Sequence, residues 1–129
     1  MIVLRHLFNA IWPTFTPFEK ALFTQMEKCL TSDEVKVLRS QLSEINFVQR
    51  HRGNEEICMY RAVNFSISQE RTMHFPGSGE KLLCQCKVNV EDTSLKLKVW
   101  LVDGQIFSLE FNDETIAFSQ CENVTLTPI

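Results

Sequence analysis

The sequence predicts an α+β fold: N-terminal helices packed on one face of a curved, mainly antiparallel sheet that ends in a C-terminal meander. Three observations predict it. Residues 82–111 alternate apolar and polar side chains in three runs parted by turn residues, which is the period of strands. Residues 16–45 instead space their apolar side chains three and four apart, which is the period of helices. The chain of 129 residues shows no repeat, low-complexity tract or linker, so residues 1–129 suit a single domain with one core.

Taken in order, residues 2–12 place Leu4, Leu7, Phe8 and Ile11 at helical spacing, and Pro13 stops that helix. Thr16-Pro17-Phe18-Glu19 is a capping box with proline at the first helical position. The helix it opens is expected to reach Leu30, with Phe18, Leu22 and Met26 as its apolar stripe. Thr31-Ser32-Asp33-Glu34 opens a second helix carrying Val35, Leu38, Leu42 and Ile45. These stripes need a partner, and the apolar face of the meander supplies it. From Asn46 the period changes. Residues 47–60 read as a hairpin turning at Gly53-Asn54, with His51 facing Glu56, Arg52 facing Glu55 and Phe47 facing Tyr60. Its second strand is expected to run on through Val63, Phe65 and Ile67. Met73 and Phe75 alternate like a short strand, residues 76–79 form a loop, and Val124 and Leu126 suggest a last edge strand ended by Pro128.

The meander assigns Leu82, Cys84, Cys86, Val88 and Val90 to one face. Leu95, Leu97, Val99 and Leu101 join them there, and so do Phe107, Leu109 and Phe111. A two-residue turn at Asp103-Gly104 would put the last two apolar sets on opposite faces. A three-residue loop, Val102-Asp103-Gly104, avoids this and pairs Val99 with Phe107, Leu97 with Leu109 and Leu95 with Phe111. The other face then pairs Lys96 with Glu110, Lys98 with Ser108 and Trp100 with Ile106. A four-residue loop, Glu91 to Ser94, sets Val90 opposite Leu95 and Val88 opposite Leu97.

Composition excludes more than it selects. A hydrophobic content of 44% is that of an ordinary globular domain, and ten Phe residues can fill its core. A net charge of -3 disfavours a nucleic-acid partner, whose binding domain is normally basic. The apolar start is too short to span a bilayer and lacks a secretory cleavage pattern. A cytoplasmic protein with five reduced cysteines and no membrane partner is therefore expected. No phosphate loop, nucleophile elbow, dinucleotide fingerprint or zinc-protease motif occurs, so no catalytic residue, metal or cofactor is assigned.

Three patterns each admit a plain structural role beside a functional one. Cys84-x-Cys86 lies mid-strand rather than on a turn, so core packing is preferred over metal ligation, which would need Cys58 or a histidine to complete it. His51, Glu55 and Glu56 sit near a hairpin tip, where a solvated charge cluster is preferred over acid–base work. The wet face of the meander presents Gln85, Lys87, Asn89, Lys96, Lys98 and Trp100, with Arg50, Arg52 or Arg61 from the first hairpin. Trp and Arg are favoured interface anchors. The expected partner-binding residues are Trp100, Lys98, Lys96, Lys87, Arg50 and Arg52, with the acidic Glu55, Glu56, Asp113 and Glu114 as steering charges.

The segment Leu97–Phe111, LKVWLVDGQIFSLEF, resembles a hairpin of small bacterial immunity proteins of toxin–immunity systems, including those of contact-dependent inhibition. The order of helices followed by a curved antiparallel sheet is similar too. The resemblance implies a non-enzymatic inhibitor that binds a cognate toxin stoichiometrically. Two alternatives stand beside it. One is a small cavity-containing enzyme or ligand-binding domain using His74 or Tyr60. The other is a homodimeric structural or adaptor protein joined through the wet face.

Overall fold

The structure is a computed structural model and describes residues 15–64, 66–68 and 71–129. The helix expected over residues 2–12 lies outside them. Helix α1 spans Pro17–Met26, a 3₁₀ turn follows at Glu27–Cys29, and helix α2 spans Ser32–Glu44. Both capping boxes form. The Thr16 hydroxyl accepts from the Glu19 N–H at 3.1 Å while the Glu19 carboxylate accepts from the Thr16 N–H at 3.0 Å. Thr31 and Glu34 repeat this exchange at 3.2 and 2.9 Å. Each box satisfies two N–H groups that the helix itself leaves without partners. α1 ends four residues before Leu30, because its last turn tightens to 3₁₀. No described helix is long and apolar enough to cross a membrane.

The seven strands are β1 (Phe47–His51), β2 (Glu56–Val63), β3 (Ser66–Ser68), β4 (Glu80–Val90), β5 (Thr93–Val102), β6 (Gln105–Phe111) and β7 (Val124–Pro128). They form an antiparallel sheet in the order β1-β2-β6-β5-β4-β7, with β3 paired to β2. β2 does not run on through Ile67 as expected. Asn64 takes a φ of 51° and the chain folds back as β3, pairing Val63 with Ser66. Phe65 lies outside the described residues. Around Met73 no strand forms. Phe75 is instead buried in a loop, its N–H donating to the Gly104 carbonyl at 2.8 Å.

The meander forms, with tighter turns than expected. The β4–β5 connection is the two-residue Glu91-Asp92, so Val88 rather than Val90 faces Leu95. A slip of two residues leaves every side chain on its face. The β5–β6 turn is the two-residue Asp103-Gly104, with φ of 50° and 76°. The faces are brought back into phase by a bulge: Leu101 pairs with Ile106, Trp100 pairs with Ser108, and Phe107 is the extra residue between. Ile106 thereby enters the core that Phe107 was expected to enter, and Leu97 faces Phe111 instead of Leu109. A second irregularity near Leu83 puts Leu82 opposite Trp100, so Leu82 leaves the core face and is exposed.

One face of the sheet, with α1 and α2 over it, holds the core. Phe18, Leu22, Met26 and Leu38 from the helices meet Ile57, Met59, Val88, Leu97, Val99, Ile106 and Leu109 from the strands. Each such buried side chain contributes roughly 1.5–3 kcal/mol. Two polar anchors seat the helices on this face. Glu19, only 1% exposed, receives a bidentate pair of bonds from Arg50 of β1 at 2.7 and 2.8 Å. Gln41, fully buried in α2, donates to the Met73 and Gly104 carbonyls and accepts from the Ile106 N–H at 2.7 Å.

Candidate functional site

The opposite face of the sheet carries the candidate site, since α1 and α2 both pack on the core side. Alternation assigns it the even-numbered residues of β2 and β5 and the odd-numbered residues of β1 and β4 below the irregularity. Its centre is Trp100, half-buried, between Leu82 of β4 and Ser108 of β6. Along the strands on one side of it lie Lys98 and then Lys96 and Lys87. Lys96 stands directly opposite Lys87, and Lys98 stands between Gln85 and Glu110. A shallow basin of about 260 Å³ is lined by Gln85, Lys96, Lys98, Glu110 and Asn112. Like charges directly opposite across strands cost a little stability, and Lys87 and Lys96 stand in that relation.

Toward β1 the same face becomes aromatic. The Tyr60 ring packs edge-on against Phe47 at 5.7 Å and against Phe107 at 5.8 Å. Beyond Tyr60 lies Cys58, 3% exposed, opposite Ser108 and Gln49. Cys58 belongs to this face rather than to the core, since its neighbours Ile57 and Met59 point to the helices. Its thiol donates to Glu56 Oε1 at 3.2 Å. Glu56 is paired across the ladder with His51 on one side and Glu110 on the other. The ligating atoms of His51, Glu56 and Cys58 all lie within 4.8 Å of one another. Burial, and then the adjacent Glu56 carboxylate, push the Cys58 thiol up to about 12. A neutral S–H beside a carboxylate is the state this produces.

Of the expected partner-binding residues, Trp100, Lys98, Lys96 and Lys87 share this face. Arg50 does not. It points to the helix side and is held by Glu19. Arg61 is likewise spent on an ion pair with Glu44 of α2 at 3.1 Å. Both residues sit in register with core side chains, which a register read from charge alone overlooks. Arg52 leaves the ladder and, with Gly53 and Asn54, takes a positive φ, making the turn wider than two residues. Its guanidinium lies 3.7 Å from Glu56 Oε2.

The hairpin tip is also not free. The Thr115 and Ile116 N–H groups donate to the Gly53 carbonyl at 3.0 Å, and the Thr115 hydroxyl donates to the Asn54 carbonyl at 2.7 Å. A side chain at Gly53 would strike Glu114. The tertiary fold thus gathers Glu55, Glu56, Asp113 and Glu114, distant in sequence, at one end of the molecule.

The alternative polar groups do not line a space between helices and sheet. His74 is exposed, with Nε2 2.6 Å from the Arg71 carbonyl, and Tyr60 belongs to the face away from the helices. Cys84 and Cys86 face the helices, where burial raises both thiols. The sheet separates them from Cys58, so those three cannot share an ion. The grouping of His51 with Glu56 and Cys58 was the feature the sequence reading missed. Its signal was present, because the hairpin register that pairs His51 with Glu56 puts Cys58 two residues along on the same face.

No family model, curated protein or solved structure matches this chain.

Proposed function

We propose that this chain is a non-enzymatic protein-binding module that neutralises a cognate bacterial toxin by stoichiometric binding. The observation that carries the reading is the sheet face away from α1 and α2, where a half-exposed Trp100 and an exposed Leu82 are followed along the strands by Lys98 and the facing pair Lys96 and Lys87. A half-exposed tryptophan is a favoured interface anchor, and the charged residues beside it suit the polar rim of such an interface. The facing lysines oppose folding slightly and are relieved when an acidic surface docks on them. The partner is therefore an acidic patch with an apolar socket, such as a toxin's substrate-binding cleft or activation surface offers.

The test is co-expression with the product of the adjacent gene, followed by co-purification and a growth assay. We expect a one-to-one complex and protection from toxicity. Trp100→Ala, at a half-exposed position, weakens the complex by at least about 2 kcal/mol, or some thirtyfold, without changing the thermal midpoint by more than a few degrees. Absence of both complex and protection removes the reading. An unchanged affinity in Trp100→Ala moves the interface off this face.

A further inference from the structure

We propose that His51, Glu56 and Cys58 form a binding site for a single divalent ion of the Zn²⁺ type, held across the β1–β2 hairpin. Three observations converge on it. The donor set is one imidazole nitrogen, one carboxylate oxygen and one sulfur, a mixture that borderline ions such as Zn²⁺ accept and hard ions such as Mg²⁺ do not. The three donor atoms lie within 4.8 Å of one another, close enough to converge on one ion with small side-chain rotations. They also come from two hydrogen-bonded strands in fixed register, His51 opposite Glu56 and Cys58 next along the same face. The backbone therefore presents the ligands already assembled.

The surroundings suit an ion too. Glu56 divides its oxygens: Oε1 takes the Cys58 thiol at 3.2 Å, while Oε2 faces the Arg52 guanidinium at 3.7 Å. Oε1 is thus the oxygen on the sulfur's side, and Arg52 steadies the carboxylate from outside. Glu110 pairs with Glu56 in the next strand, so a cation here offsets two adjacent carboxylates. Binding is a proton-for-metal exchange. The Cys58 S–H bond breaks, its proton passes to buffer, and a metal–thiolate bond forms with no change of oxidation state. Three protein ligands leave one tetrahedral position for water or for a donor from a docked partner.

The site is independent of the toxin-neutralising reading, and its test does not use the partner. The full-length reduced protein, stripped with chelator, is titrated with Co²⁺ as a spectroscopic probe and with Zn²⁺ in a calorimeter. We expect one equivalent of Co²⁺ to give a thiolate charge-transfer band in the near ultraviolet, displaced by Zn²⁺. Cys58→Ser abolishes the band, and His51→Gln, at a half-exposed position, weakens Zn²⁺ binding by roughly tenfold or more while circular dichroism stays native. Cys121→Ala retains both. A band that survives Cys58→Ser, a Zn²⁺ affinity unchanged in His51→Gln, or no stoichiometric binding by the folded wild type would each overturn the proposal.

Discussion

At the scale of the residue, the Glu19–Arg50 pair shows how one side chain can serve two structures. Glu19 closes the capping box of α1 and also receives the guanidinium of a strand residue, while being almost wholly out of water. A buried carboxylate is tolerated only with such partners. Arg50→Ala leaves Glu19 buried against an apolar wall, and we expect a loss of about 2–3 kcal/mol, discounted because Arg50 is 27% exposed. Urea unfolding at neutral pH measures it as a lower midpoint with unchanged slope. Cys58 makes a second prediction at this scale. Burial, and then Glu56, push its folded thiol up to about 12, from an ordinary value near 9. The unfolded chain therefore releases the proton first as pH rises, so stability is intact below about pH 9 and falls above it. The slope from this group is at most about 1.4 kcal/mol per pH unit. A Cys58→Ala variant should show a shallower alkaline decline in unfolding free energy between pH 9 and 11. Equal slopes would assign the decline to other groups.

At the scale of the element, α2 is attached by Gln41 as much as by its apolar stripe. The amide bridges the Met73 and Gly104 carbonyls and the Ile106 N–H, so the helix reads the β5–β6 turn directly. Gly104 also makes room for the loop at Phe75. It has φ of 76°, and a side chain there would meet the Phe75 carbonyl oxygen. Gln41→Leu matches the volume but leaves the Ile106 N–H without its acceptor in the core, while the Gly104 carbonyl keeps the Phe75 N–H. We expect a cost of roughly 1–3 kcal/mol, seen as a drop in thermal midpoint. Here the sequence was partly legible. Capping boxes, the second helix and the meander's apolar face follow from spacing alone, since a helix or strand period is written in adjacent residues. The buried Gln41 was not legible, because its three partners lie 32 to 65 residues away.

At the scale of the whole molecule, the strand order β1-β2-β6-β5-β4-β7 puts the two strands of the C-terminal hairpin in the middle of the sheet. β1 and β7 are its edges, and β7 also carries Pro128. Amide exchange should therefore be slowest in β5 and β6 and fastest in β7, with β4 between, measured by mass spectrometry of deuterated fragments. Protection in β7 equal to that in β5 would contradict the order. The same arrangement gives the sheet two unlike faces, one packed against the helices and one carrying Trp100, the lysines and the His51–Glu56–Cys58 group.

By itself the sequence determined the fold class, the two capped helices and the inward face of most of the meander, Leu82, Ile106 and Phe107 excepted, because period and turn chemistry are local properties. It also put Trp100 and the three lysines together on the far side. Only the tertiary structure decided that Arg50 and Arg61 are used within the fold, that a bulge exchanges Phe107 for Ile106 in the core, and that β2 comes to lie against β6. Those outcomes depend on which distant segment fills each gap and which carboxylate reaches each cation. A residue's neighbours across the sheet, unlike its neighbours along the chain, are settled by the packing of the whole core.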